Sequence, residues 1–105
     1  PVTCAAALAT LEVIEREDLV GNAIRVGRYI TERAQQLGVR RVSGRGLLLG
    51  LRLDRAASDV QRALFGRRIL TGTSADPAVL RLLPPLTFTT GEADLLLAGL
   101  AEVLQ

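Results

Sequence analysis

Apolar positions recur along this chain with two different periods, and the change of period separates helices from strands. Leu19, Ala23, Val26, Ile30, Ala34 and Leu37 follow one another at spacings of four, three, four, four and three. That makes one stripe along about five turns of helix. Glu17 and Asp18 stand at its start, where the helix dipole favours acids. Gly38 stands at its end, in the position glycine favours. Arg25, Arg28, Glu32 and Arg33 fall on other faces and are expected in solvent. Upstream, Pro1 suits a first helical position, where its missing N–H costs nothing. Val2 to Glu15 then reads as an alanine-rich helix. Ala5, Ala6, Ala7 and Ala9 leave room for something to pack close to it. Its capping residue would lie before Pro1, so the sequence reads as cut from a longer chain.

Beyond Gly38 the apolar runs shorten. Val39–Ser43 and Leu47–Leu53 read as strands separated by Gly44-Arg45-Gly46, and Gly50 is expected to admit a neighbouring backbone. Ser58 or Asp59 is placed to cap a short helix through Phe65, closed by Gly66. Arg67–Thr71 and Val79–Leu83 read as further short strands around the turn residues of Gly72–Pro77, and Pro84-Pro85 stops the last one. Thr89 and Glu92 form a Thr-x-x-Glu capping box. The closing helix is expected over Thr90–Leu104, with Leu95, Leu96, Leu100 and Leu104 offered to the core. The pattern predicts a single α+β domain over residues 1–105. Its helices should cover one face of a small, mainly antiparallel sheet of about three to four strands.

Composition narrows the chemistry. All thirteen basic residues are arginines, and the chain contains no lysine, histidine, methionine or tryptophan. Without histidine there is no imidazole acid/base group or metal ligand. Without lysine no side chain can form a Schiff base. Cys4, the only cysteine, can make no internal disulfide or zinc site, and among alanines it is expected as a small buried hydrophobe. The aromatics are Tyr29, Phe65 and Phe88, so Leu, Val, Ile and Ala must build the core. The formal charge is +2 with the arginines dispersed, which offers no dense basic face for nucleic acid. No apolar run reaches the roughly 18–20 residues of a membrane span. With no signal-peptide layout either, a cytoplasmic location is expected.

Most local motifs reduce to structure. The glycines of Gly44–Gly50 run into a strand rather than a helix start, so a nucleotide loop fails on context. Glu17/Asp18 and Glu92/Asp94 sit near helix starts, where dipole and capping account for them. Thr71–Asp76 is a polar loop that could line a pocket. Arg81 differs: it is a charge within the apolar run Val79-Leu80-Arg81-Leu82-Leu83-Pro84-Pro85-Leu86. Two readings of it stay open. Its planar donors match a substrate carboxylate in bidentate fashion. Alternatively, it alternates outward from the strand or pairs with a structural acid.

Three segments, in order and at fitting distances, resemble a known family. Pro1–Ala9 is similar to the helix that follows the Gly-Asn-Pro turn of class-III pyridoxal-phosphate aminotransferases. Gly44–Gly50 resembles their Arg-Gly-x-Gly-Leu-type turn and strand, and Val79–Leu86 their Arg-x-x-Pro-Pro-Leu segment. The likeness is nearest to the acetylornithine type, which transfers an amino group between N-acetylornithine and 2-oxoglutarate in arginine biosynthesis. It implies a C-terminal small domain, with residues 1–16 linking to a missing large domain, in an enzyme expected to be a homodimer acting on a small amino acid. It also implies that Arg81 binds the substrate carboxylate while this domain closes the active site. Pyridoxal phosphate would belong to the parent enzyme. None is expected on this chain, which has no lysine for the aldimine and so is expected to be inactive alone. The competing expectation is a free-standing, non-enzymatic interaction or oligomerisation module of the same fold, docking through its alanine-rich helix.

Overall fold

A computed structural model describes residues 1–105 as four helices and four strands. In chain order these are α1 (Val2–Arg16), α2 (Leu19–Gln36), β1 (Arg41–Arg45), β2 (Leu48–Arg52), α3 (Ala57–Gly66), β3 (Gly72–Thr73), β4 (Val79–Leu82) and α4 (Thr90–Leu104). The chain turns from α1 into α2 at Asp18, whose φ of 49° is the left-handed conformation that Asp tolerates better than most residues. The predicted stripe of α2 is realised: Leu19, Ala23, Val26, Ile30 and Ala34 are buried. Gly38 follows the helix with φ of 90°.

The strands form one antiparallel sheet in the order β1-β2-β4-β3. Side chains alternate across it. Leu49, Leu51, Leu80 and Leu82 point to the helical side and are buried with Ile30, Val60, Leu64 and Leu100. Helices α2 and α3 lie against that face, and α4 packs on both of them. The other face of the sheet carries no helix. At the start of α4 the capping box is complete: Glu92 N–H donates to Thr89 Oγ1 at 3.1 Å, and Thr89 N–H donates to the Glu92 carboxylate at 3.1 Å. Leu96 and Leu100 enter the core as expected. Leu104 is half-buried, while Leu95 is 71% exposed and Ala93 and Leu97 take the inward positions instead.

Several expectations require correction. The hairpin turn is two residues, Gly46-Leu47, because β1 extends through Arg45, which pairs with Leu48. Gly46 has φ of 55° at the first turn position, where the twist of the strands favours glycine. The close backbone approach falls at Gly44, where a Cβ would sit 1.9 Å from the Leu48 carbonyl; Gly50 meets only the side chains of Ser43 and Val79. Helix α3 begins at Ala57 with Ala56 as an N-cap that makes no side-chain bond, so Ser58 and Asp59 lie inside its first turn.

Arg67–Thr71 is not a strand. The end of α3 consumes it: Arg68 N–H donates to the Phe65 carbonyl and Ile69 N–H to the Leu64 carbonyl, both at 2.9 Å. This is a Schellman motif with Arg68, at φ of 63°, in the left-handed position. Strand pairing resumes only at Gly72. Finally, Cys4 is exposed: no residue of α1 is buried, and α2 is the one helix or strand that α1 packs against.

Two substitutions check this packing. Gly27, buried in α2, lies beneath the hairpin tip, and a Cβ there would sit 2.0 Å from the Gly46 carbonyl oxygen. Helix propensity alone would make Gly27→Ala stabilising by about 0.5–1 kcal/mol. The backbone clash reverses the sign, and thermal melts should show a net loss of about 1–3 kcal/mol. Arg68→Gly should instead stabilise by about 0.5–1 kcal/mol, by relieving a left-handed arginine. A lower midpoint for that variant would contradict the Schellman assignment.

Candidate functional site

The uncovered face of the sheet is built by register. Arg41 and Ser43 on β1 stand opposite Arg52 and Gly50 on β2. Gly50 stands opposite Arg81 on β4, and Arg81 opposite Gly72 on β3. One row across the sheet therefore reads Ser43, Gly50, Arg81, Gly72: a single long cation with a glycine on each side. The adjoining row holds Arg52, whose guanidinium donates to the Asp76 carboxylate at 2.6 Å. Asp76 also accepts from the Ala78 N–H at 3.0 Å. That backbone bond, and then the Arg52 contact, hold its carboxyl below the usual carboxylate range.

Arg81 has no such partner. The ion pairs of the chain are Asp18–Arg25, Arg40–Asp54, Arg52–Asp76, Asp59–Arg62 and Arg67–Glu102, and none includes it. Of the alternatives to a carboxylate fork, pairing with a structural acid is absent within this chain, whereas outward alternation is observed. The arginine alternates outward from a strand whose Leu80 and Leu82 point in.

Arg81 borders a groove of about 440 Å³ between the β3–β4 edge and the start of α4. Leu70, Leu83, Phe88 and Leu95 form its apolar wall, and Arg68 and Glu92 are its other ionisable groups. Leu70 and Leu83 are 85% and 69% exposed, so this wall is an unmet apolar surface rather than core. Thr71 also lines the groove, and its buried hydroxyl has no hydrogen-bond partner. Glu92 is already committed to the capping box and is not a free acid. The wall continues through Pro84 into a segment that two prolines bar from strand pairing. Asn22 of α2 tethers that segment, its amide donating to the Leu86 carbonyl at 2.7 Å and the Phe88 carbonyl at 2.9 Å.

The structure thus brings Arg81 together with the first part of the polar loop, Thr71 and Gly72, and sends its end, Asp76, to Arg52. Sequence reasoning did not single out the apolar wall. The signal was present in the phases: Leu83 alternates with Arg81 on the same strand direction, and Leu95 lies off the Ala93, Leu96, Leu97, Leu100 stripe. With an unpaired guanidinium beside apolar walls, the arrangement can bind a carboxylate joined to an aliphatic body. It contains no acid/base pair or nucleophile of its own.

Comparison with known proteins gives the family and the fold. Residues 1–104 match the aminotransferase class-III family. Ornithine aminotransferase 2 of Staphylococcus aureus is 37% identical over 108 residues, which take in the whole of this chain and 27% of that protein. The acetylornithine aminotransferase of Archaeoglobus fulgidus is 42% identical over 94 residues, covering 90% of this chain and 24% of that protein. The chain therefore spans about a quarter of the length of these relatives. Among solved structures, the ornithine aminotransferase of Toxoplasma gondii superposes with a TM-score of 0.87 at 26% identity, over 99% of this chain and 26% of that one. A second structure of that enzyme has PLP at its active site in partial occupancy. No helix here is long and apolar enough to cross a membrane. In sequence and in fold, over nearly its whole length, the chain belongs to the class-III aminotransferase family.

Proposed function

We propose that this chain is the C-terminal small domain of an acetylornithine-type aminotransferase, and that Arg81 binds the α-carboxylate of the amino-acid substrate. The observation that carries the reading is the unpaired Arg81 guanidinium, set between two glycines on the uncovered sheet face at the mouth of an apolar groove. A guanidinium in that setting presents two parallel N–H donors to a carboxylate, and the adjoining leucines suit the aliphatic part of the substrate. The proposed reaction is amino-group transfer between N-acetylornithine and 2-oxoglutarate. Glutamate and 2-oxoglutarate carry a carboxylate next to the reacting carbon, and that carboxylate is the proposed ligand of Arg81. N-acetylornithine, whose α-amine is acetylated, reacts at its terminal amine, away from its own carboxylate. The choice of the acetylornithine type is supported by the Archaeoglobus relative; ornithine aminotransferases match over the same region.

The family's cofactor is pyridoxal phosphate, which supplies the electron sink for transamination when bound. The residues of this chain do not fit its attachment. The ionisable groups of the groove are Arg68, Arg81 and Glu92, with no amine among them, and the sequence contains no lysine. In the proposed enzyme the cofactor is held outside this segment, and the segment contributes a wall and a carboxylate clamp. Helix α1 is proposed to pack on the preceding large domain. Val2, Leu8 and Leu11 along it are 87%, 59% and 58% exposed, and this surface is what such a domain would cover. The full enzyme is proposed to act as a homodimer.

The test uses the full-length enzyme containing this segment. Arg81→Ala should lower kcat/KM for glutamate by about tenfold to a hundredfold, the range of a lost charge-assisted pair, and by less for N-acetylornithine, with cofactor content unchanged. Arg81→Lys should recover only part of the loss, since an ammonium cannot make the bidentate fork. Native kinetics in the alanine variant would remove Arg81 from substrate binding.

A further inference from the structure

The two glycines across from Arg81 are not equivalent. A Cβ at Gly50 would meet Ser43 Oγ at 3.0 Å and Val79 Cγ1 at 3.1 Å, with no atom of Arg81 within 4 Å. A Cβ at Gly72 would have Arg81 Nε as its nearest neighbour, at 3.4 Å, and the Arg81 Cβ at 3.7 Å. The arginine stem therefore leans away from β2 and lies over Gly72 on the edge strand. Backbone conformation does not account for glycine here. The glycines with positive φ are Gly38, Gly44 and Gly46, so Gly72 adopts a conformation open to any residue. A strand position would ordinarily favour a β-branched side chain. What position 72 supplies is empty space, and Arg81 uses it.

We infer that Gly72 is a positioning residue for Arg81: the absence of a side chain at Gly72 lets the guanidinium lie across β3 at the mouth of the groove, and so fixes where the carboxylate is held. This rests on the carboxylate-clamp reading of Arg81. One added methyl fits at ordinary contact distance and leaves the stem where it lies. The branched side chain of valine occupies the space above it and pushes the guanidinium back toward β2. Displacement of a clamp by about 1 Å is enough to cost a large factor in productive binding. A purely structural role for Gly72 predicts the opposite trend, with valine neutral or stabilising on the strand.

The experiment compares Gly72→Ala, Gly72→Val, Arg81→Ala and the Gly72→Val/Arg81→Ala double variant in the full-length enzyme. Glutarate, which has carboxylates but no amino or keto group, is titrated calorimetrically, and thermal midpoints are measured alongside. Gly72→Val should weaken glutarate binding about tenfold or more at an unchanged or raised midpoint, and Gly72→Ala should leave it near native. The double variant should lose nothing beyond Arg81→Ala, because both changes act on one group. Native glutarate affinity in Gly72→Val, or a full additional loss in the double variant, would overturn the inference. Should the valine variant fail to fold, Gly72→Leu, whose side chain also occupies the space above the strand, decides: a loss of glutarate affinity of about tenfold supports the inference and native affinity contradicts it. If Arg81→Ala itself binds glutarate like the native enzyme, the clamp reading fails first. If it loses binding while Gly72→Val does not, only the role of Gly72 falls.

Discussion

The antiparallel pairing of β2 with β4 is the contact on which both the core and the site depend. Its register sets Leu49 against Leu82 and Leu51 against Leu80, and these four leucines form the floor on which the helices rest. The same register sets Gly50 against Arg81 on the opposite face. Because side chains on a strand alternate, a slip of one residue would bury the guanidinium and expose the leucines together. Burying an unpaired guanidinium is costly, and so is exposing a leucine floor, so the two penalties reinforce one register. Orientation of Arg81 toward the uncovered face is thus a by-product of the pattern that makes the core, and no separate device is needed to aim it.

The surfaces left over are as informative as the core. The helical side of the sheet is closed by α2, α3 and α4, whereas α1, the groove wall and the uncovered sheet face all remain exposed. The chain spans about a quarter of the length of its relatives, and in the proposed enzyme these are the surfaces that the remaining segments would cover. The arginine chemistry fits that division. Arg52, Arg40 and Arg67 are paired with Asp76, Asp54 and Glu102 within the segment. Arg81 alone on the β2–β4–β3 part of the face is flanked by glycines and left without an acid.

Much of the fold was legible because it depends on local periodicity. The stripe of α2, five of whose six residues are buried with Leu37 half-buried just past the helix, and the Thr89–Glu92 capping box are short-range signals, and both are realised. Arg67–Thr71 misled because Ile69, Leu70 and Thr71 have strand propensity, while the decisive interaction is a helix-terminating pair of hydrogen bonds centred on an arginine at positive φ. Nothing in the composition of Arg68 announces that conformation. Cys4 misled because alanine neighbours suggest burial, yet burial needs a partner surface and α1 has almost none within this segment. For the site, alternation with Leu80 and Leu82 made an outward Arg81 legible. Its lack of an acidic partner, and the glycines beside it, depend on cross-strand register between residues about 10 to 30 positions apart, which no local pattern encodes.

The proposed role of the segment depends on the Arg81 guanidinium receiving the substrate carboxylate. The most direct measurement is a crystal structure of the full-length enzyme with glutarate bound in its active site. The account predicts two parallel N–H···O bonds from Arg81 to one carboxylate, at about 2.7–2.9 Å, with the stem still lying over Gly72. A carboxylate held by other residues, with Arg81 in solvent or paired to an acid of the large domain, would contradict it.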